Sequence, residues 1–390
     1  MKILFIQGGS RVRITEDNNY YVDGNFNNNI WKRYKKYCDE LNVILRKIDS
    51  IYDKNELERK FNKIDTNICN LNLVKDVYRP KFNIFNLKLK NEIKKAIEYQ
   101  VKINDRIIIR SLGNFYTNTA LKYCKKYNKK YLIEVTGFGF EGMWYHSLLG
   151  KFCALKKEMK MKKEIKKAPY VLYVTDRVLQ KRYPTKGINI GCSDVEIYEE
   201  DVYSSLQKNK NKEKKVIGTI GWLDVKYKGQ QNVIKALFEL KQKGYNNIYY
   251  EILGSGNPLR LQKIINKYSM EKEIKILSSR SHDEVLEWLK KIDIYIHPSF
   301  SEGLCRSIVE AMSVGCPIIA SKVGGNVELI NSDFLYNYYD IHKLEELIVK
   351  MIDEKILNKE SITNYNMSKK FKQNQLEIKR EYIYREFIKE

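Results

Sequence analysis

Ser299-Phe-Ser-Glu-Gly-Leu-Cys-Arg-Ser-Ile-Val-Glu-Ala-Met-Ser-Val-Gly-Cys-Pro317 packs a strand end, a glycine turn and a helix start into one short segment. The apolar run 292–297 reads as a strand, residues 304–313 as a helix and 317–320 as the next strand. A helix beginning near Leu304 presents the free N–H groups of its first turn, with positive dipole, beyond the strand ends. That is a site for a diphosphate, with Leu304, Cys305, Arg306 and Ser307 as amide donors and Gly303 keeping the approach clear. Glu310 lies about two turns further on, so its carboxylate shares the face of Ser307 and suits paired hydroxyls such as those of a ribose. Glu302 stands at the mouth of the helix, where an anion beside a diphosphate is repelled unless it bonds sugar hydroxyls instead. The competing reading makes Glu302 an ordinary N-terminal helix acid and Glu310 a solvated surface residue.

Outward from this segment, strand-like and helix-like stretches alternate. Upstream come strands at 216–221, 249–253 and 274–277 and helices at 230–243, 259–268 and 282–291. The alternation breaks in the charged stretch 196–215, which reads as a linker, and resumes before it with strands at 2–7, 43–46, 106–110, 131–135 and 170–175 and helices at 91–101 and 117–127. Alternation at this spacing predicts α/β architecture, with two doubly wound parallel sheets in tandem facing a cleft. The expected division is 1–195, 196–366, and a charged helical tail, 367–390. No internal repeat of 20–50 residues is evident, which argues against a solenoid.

The 390 residues carry a formal charge of +23 and are 43% hydrophobic, enough for a core in each of two domains. Residues 1–195 hold 40 Lys and Arg against 20 Asp and Glu; the remainder holds 31 against 28. The excess therefore sits in the first half, which points to an anionic partner there. Nucleic acid is disfavoured, because the basic residues are scattered and no recognition motif accompanies them. The seven cysteines form no C-x-x-C pair, so neither a disulfide framework nor a zinc knuckle is expected. Apolar runs are too short for a membrane helix and no signal pattern follows Met1, which predicts a cytoplasmic protein.

Within the first half, Gly8-Gly9-Ser10 reads as a tight loop closing the first strand, a candidate phosphate loop. Arg110, at a strand end, is a candidate for a donor or acceptor phosphate, with an ordinary surface role as the alternative. Residues 134–146 combine glycines and aromatic rings with His146, a combination that suits a sugar, although a lone histidine is more often structural. The run 156–167 has helical spacing, with Lys156, Lys160, Lys163 and Lys167 on one face and Met161, Ile165 and Ala168 on another. The lysine face is a candidate contact for an anionic leaflet or lipid phosphate, or simply solvated.

Glu302 and Glu310 together form an E-x7-E pattern, and the block from Gly303 through Ser321 resembles that of retaining glycosyltransferases of family 4, bacterial surface-polysaccharide type, which share the GT-B fold. The resemblance implies transfer of a sugar from a UDP- or GDP-sugar to a glycan or lipid-linked glycan with retention. It implies Glu302 and His146 as catalytic residues, and Glu310, Lys228, Gly221, Gly254 and Arg280 around the donor. No metal and no cofactor are expected, since no D-x-D pair is present. Lys228 fits the second residue of the family's basic pair; the first, often Arg, is Trp222 here, leaving Lys226 or Arg306 to supply charge. The tail is expected to cross back onto the first domain. A nucleotide-sugar epimerase and a non-catalytic subunit on the same scaffold are the competing readings.

Overall fold

The computed structural model describes residues 1–23, 26–145, 148–197 and 213–389. In the first half the strands are β1 (Lys2–Thr15), β2 (Tyr20–Val22), β3 (Glu40–Tyr52), β4 (Asn62–Lys63), β5 (Asn70–Lys75), β6 (Arg106–Arg110), β7 (Lys130–Val135), β8 (Tyr170–Tyr173) and β9 (Ile188–Gly191). Their parallel part runs β5-β3-β1-β6-β7-β8-β9, and β2 and β4 add antiparallel pairing to the far end of β1. The second half contributes β10 (Lys215–Ile220), β11 (Ile248–Gly254), β12 (Ile274–Ser278), β13 (Ile294–His297), β14 (Ile318–Ser321) and β15 (Leu335–Tyr336). These form a wholly parallel sheet in the order β12-β11-β10-β13-β14-β15. Central strands such as β6, β8 and β13 are apolar runs buried along most of their length, because helices cover both sheet faces.

Each sheet has its own core. Ile217, Ile252 and Ile296 lie in one, and Ile107, Ile133 and Val171 in the other; Leu304 packs against both. The final helix, Gln373–Ile388, lies on the first sheet, where Leu376, Ile383, Tyr384 and Phe387 are buried with Ile3, Phe5 and Leu132. Its seat is also polar: the Tyr384 hydroxyl donates to Glu134 at 2.8 Å, and buried Arg380 donates to the Ser193 carbonyl at 2.7 Å.

β1 departs from expectation. It does not stop at Gly8-Gly9 but continues to Thr15, because Arg11-Val-Arg-Ile-Thr15 alternates and finds partners in β2 and β3. The glycines mark a shift in the β1–β3 register between Ile6 and Arg11, an irregularity inside a strand rather than a loop before a helix. Edge strands β5 and β9 were absent from the sequence reading. Their half-exposed, polar-interrupted residues carry no continuous apolar signal.

Candidate active site

The chain leaves β10 toward β11 and β12 but leaves β13 toward β14 and β15, so a crevice opens at the carboxyl ends of β10 and β13, where ligands bind in open α/β sheets. Gly221 and Gly254 bring two strand ends together here: a Cβ on Gly254 would lie 1.9 Å from the Gly221 carbonyl oxygen. Beyond β10 a single 3₁₀ turn, Lys226–Lys228, ends at Gly229, whose φ is 75° and whose Cβ position falls 1.9 Å from the Pro298 carbonyl oxygen. Only glycine accepts both demands. The turn is thereby pressed against the end of β13, and Lys228 reaches Glu302.

Lys228 Nζ lies 2.7 Å from Glu302 Oε1, and His297 Nε2 lies 3.0 Å from the same oxygen. Cys305 Sγ is 3.4 Å from His297 Nε2 and 3.2 Å from Ser307 Oγ, which accepts from the Tyr295 hydroxyl at 2.7 Å. Burial pushes the Glu302 carboxyl up, but Lys228 and His297 outweigh it and hold it well below the usual carboxylate range. Burial lowers His297, while Cys305 and Glu302 raise it, for a net value of about 9. An ionised Glu302 therefore stands between two cations. Among the described residues, His297, Glu302 and Cys305 also make a group with metal-ligand atoms within 4.8 Å of one another, although Lys228 and His297 already share the carboxylate oxygen and oppose a further cation.

The raised His297 value has a pH consequence. The folded state binds this proton more tightly than the unfolded chain, where histidine titrates near about 6.5. The stabilisation is complete below about 6.5 and is lost as pH rises toward about 9, with a magnitude on the order of 3 kcal/mol. Thermal unfolding followed across that window is expected to show a falling midpoint, and His297→Gln is expected to flatten the slope.

Next to this cluster, a cavity of about 400 Å³ lies between the two halves of the chain, lined by Glu310, Arg306, Arg280 and His282 on one side and by Arg33 and Asp194 on the other. Glu310 is only 7% exposed, which rules out the solvated-surface reading. Its Oε1 lies 3.4 Å from His282 Nδ1; that contact raises the histidine, partly countered by burial. Arg280 and His282 flank Ser281, which caps the helix His282–Leu289 and receives Glu284 in return.

Residues 204–374 match the family described as Glycosyl transferases group 1. The whole chain is also similar to Protein CapJ of Staphylococcus aureus, 34% identical over 361 residues that cover 90% of this chain and 88% of that protein. The chain belongs to the group 1 glycosyl transferases. A shorter match, 30% identical over 112 residues and covering 28% of this chain and 29% of that one, is to the UDP-Gal:alpha-D-GlcNAc-diphosphoundecaprenol alpha-1,3-galactosyltransferase of Escherichia coli. Among solved structures, Anabaena Alr3699/HepE in complex with UDP-glucose superposes with a TM-score of 0.65 at 17% identity, covering 98% of each chain. The fold is GT-B.

Several expected site residues of this glycosyl transferase take other places. The helix after Glu302 starts at Arg306, with Cys305 as its N-cap, so Leu304 belongs to the loop between the two cores and the cleft-side residue is Arg306. Gly303 does not keep an approach clear: a Cβ there would lie 2.0 Å from the Thr136 carbonyl oxygen of the opposite domain. Arg110 is held by two acids. It lies 2.6 Å from Glu134 and also pairs with Asp194, and although burial lowers its proton affinity, those two acids raise it overall. Gly8 and Gly9 lie inside β1 and not in a loop that closes it. A Cβ on Gly8 would strike Asn114 Oδ1 at 2.2 Å, and the Gly9 amide is taken by the Gln7 side chain. Trp222 and Lys226 are exposed, and the cavity takes its cationic lining on this side from Arg306 and Arg280. His146 lies outside the described residues. His297, Arg33 and Asp194 were not among the site residues singled out from the sequence. A strand-end histidine five residues before Glu302 was the available signal for the first; long-range contact alone brings in the other two.

Proposed function

We propose that the enzyme transfers a sugar from a UDP- or GDP-sugar to a hydroxyl of a glycan or lipid-linked glycan, with retention and without a metal, in the synthesis of a cell-surface polysaccharide. The observation that carries this reading is the division of labour between the two glutamates. Glu310 faces the interdomain cavity, where paired ribose hydroxyls suit it. Glu302 is held ionised beside Lys228 at the end of β13, where the donor sugar and its diphosphate would meet. Negative charge develops on the leaving diphosphate, so the fixed cations Lys228, Arg306 and Arg280 and the first-turn amides of the Arg306–Ser313 helix supply the stabilisation. In unliganded protein the Lys228 ammonium is kept in place by Glu302. An incoming diphosphate takes over that ammonium and releases the carboxylate toward the sugar. A leaving phosphate oxygen accepts the acceptor's proton, so attack from the leaving-group face needs no separate protein base.

The UDP-glucose bound by the HepE relative and the diphosphoundecaprenol-linked substrate in the name of the E. coli relative support the donor and acceptor classes. No helix among the described residues is long and apolar enough to cross a membrane; a lipid-linked acceptor therefore implies peripheral contact at the inner face of the plasma membrane. Calorimetry with UDP and GDP is the direct test. Glu310→Ala and Lys228→Ala are each expected to weaken nucleotide binding about ten- to a hundredfold, the cost of a charge-assisted hydrogen bond. Unchanged binding in both would refute the reading. Nuclear magnetic resonance of the product reports the anomeric configuration, and incubation with donor alone separates transfer from epimerisation.

A further inference from the structure

We propose that the first domain docks on an anionic phospholipid leaflet by inserting two apolar patches that flank its sheet's carboxyl edge; this rests on the lipid-linked acceptor reading above. The first patch lies on the helix Leu148–Lys166, where Leu148, Phe152, Leu155 and Met159 recur at spacings of four, three and four and are all exposed, Phe152 at 86%. That stripe is separate from Met161, Ile165 and Ala168, which are buried in the domain core. The second patch is the segment Lys81–Phe85 and the helix start after it, where Phe82, Phe85 and Leu87 are exposed, Phe85 at 83%. Clustered exposed aromatic and aliphatic side chains mark an interaction surface rather than ordinary surface scatter.

Both patches adjoin the short segment after β6. A Cβ on Gly113 would lie 2.6 Å from Lys157 Cε, on the first helix. The Phe115 amide donates to the Tyr78 hydroxyl at 2.8 Å, just before the second patch. They therefore lie on the same end of the domain.

Charge selects the partner. Exposed lysines, among them Lys151, Lys156, Lys160 and Lys163, border the first stripe. The two acids of that helix turn inward, Glu158 to Arg182 and Tyr183 and Glu164 to Lys125. The second patch is flanked by exposed Arg79, Lys81 and Lys88, and no acid occurs from 77 to 91. Beside it Arg11 pairs in register with Arg46, and one acid, Asp76, serves the Arg46 guanidinium at 2.9 Å. Burial first, then the neighbouring Arg79 and Arg46, lower the proton affinity of Arg11, so this corner favours an anion. Apolar side chains that insert and lysines that meet headgroups are the two components of stable interfacial binding.

The geometry also aims the cleft. The stripe begins just after Tyr145, whose hydroxyl lies 3.1 Å from that of Tyr338 in the second domain. A leaflet on this face therefore adjoins the rim where a lipid-linked acceptor enters.

Flotation of the full-length protein with vesicles of phosphatidylglycerol and phosphatidylethanolamine, and with phosphatidylcholine vesicles in parallel, tests the proposal. The protein is expected to float with the first and not the second. Phe85→Ser with Phe152→Ser is expected to reduce flotation about tenfold or more with nucleotide binding intact. A dye on exposed Cys153 is expected to shift to the blue with the anionic vesicles only, a readout that needs no substitution in the patches. Protein left at the bottom of the anionic gradient, or a double variant that floats like wild type, overturns the proposal. A wild-type dimer in analytical ultracentrifugation that the same substitutions dissociate also overturns it, assigning the patches to a second copy. Nucleotide binding without flotation rejects docking alone, whereas flotation without nucleotide binding rejects the transfer reading.

Discussion

Glu302→Ala is expected to cost about a hundred- to a thousandfold in turnover and about 3–5 kcal/mol in stability, while leaving nucleotide affinity within a few-fold of wild type. The stability loss follows from what remains. Lys228 and His297 lie 2.7 and 3.0 Å from the same carboxylate oxygen, and with the side chain only 13% exposed, both cations lose their counter-ion where water does not replace it. His297 then loses one source of its raised proton affinity, so the pH slope of stability flattens as well. The turnover loss follows from the roles proposed above: in the transfer reading Glu302, just before the Arg306–Ser313 helix, is the acid for the sugar, whereas Glu310 is the acid for the nucleoside. Glu302→Gln keeps the shape and separates charge from volume. Assays run well below each variant's unfolding midpoint, paired with calorimetry, check the result. Wild-type turnover in Glu302→Ala refutes the assignment, and a loss confined to nucleotide binding moves the residue to the nucleoside side.

Gly303→Ala is expected to reduce kcat/KM about a hundredfold by wedging the domains apart, not by removing a chemical group. The added methyl carbon would lie 2.0 Å from the Thr136 carbonyl oxygen and 3.2 Å from the Gly137 Cα. All of these are backbone atoms, which no rotamer change can move away. Relief requires the second domain to withdraw from the first by an ångström or more, and misplacement on that scale costs about two orders of magnitude in rate. Each domain keeps its own core, so unfolding is expected to change little. Wider interdomain spacing should appear in small-angle scattering. Wild-type kinetics in this variant would show that the Gly303 contact does not set the productive geometry.

Much of the architecture is legible from local pattern. Strand 106–110 was expected and is found as Arg106–Arg110, and helix 230–243 as Gln230–Gln242. Both are continuous periodic segments whose burial depends little on distant partners. β1 was misjudged because Gly8-Gly9 resembles a turn signal, while the partners that carry the strand to Thr15 lie in β2 and β3. The start of the helix after Glu302 was placed two residues early because Leu304, the residue that looks like the first apolar helix position, is drawn instead into contact with both cores. The partners of Arg110 were not legible for a similar reason. Its sequence neighbours do not reveal Asp194, 84 residues away, or the Tyr384 hydroxyl that shares Glu134.

The amino-acid order alone determined the class of fold, the placing of Glu302 and Glu310 about a helix start, and the basic character of the first half, because these depend on spacing and composition. Tertiary structure alone decided that Lys228 and His297 hold Glu302 ionised, that Arg110 is spent on Glu134 and Asp194, and that Gly303 serves a contact between domains. Those outcomes depend on which charges share a buried volume, and that is set when the two sheets close on each other.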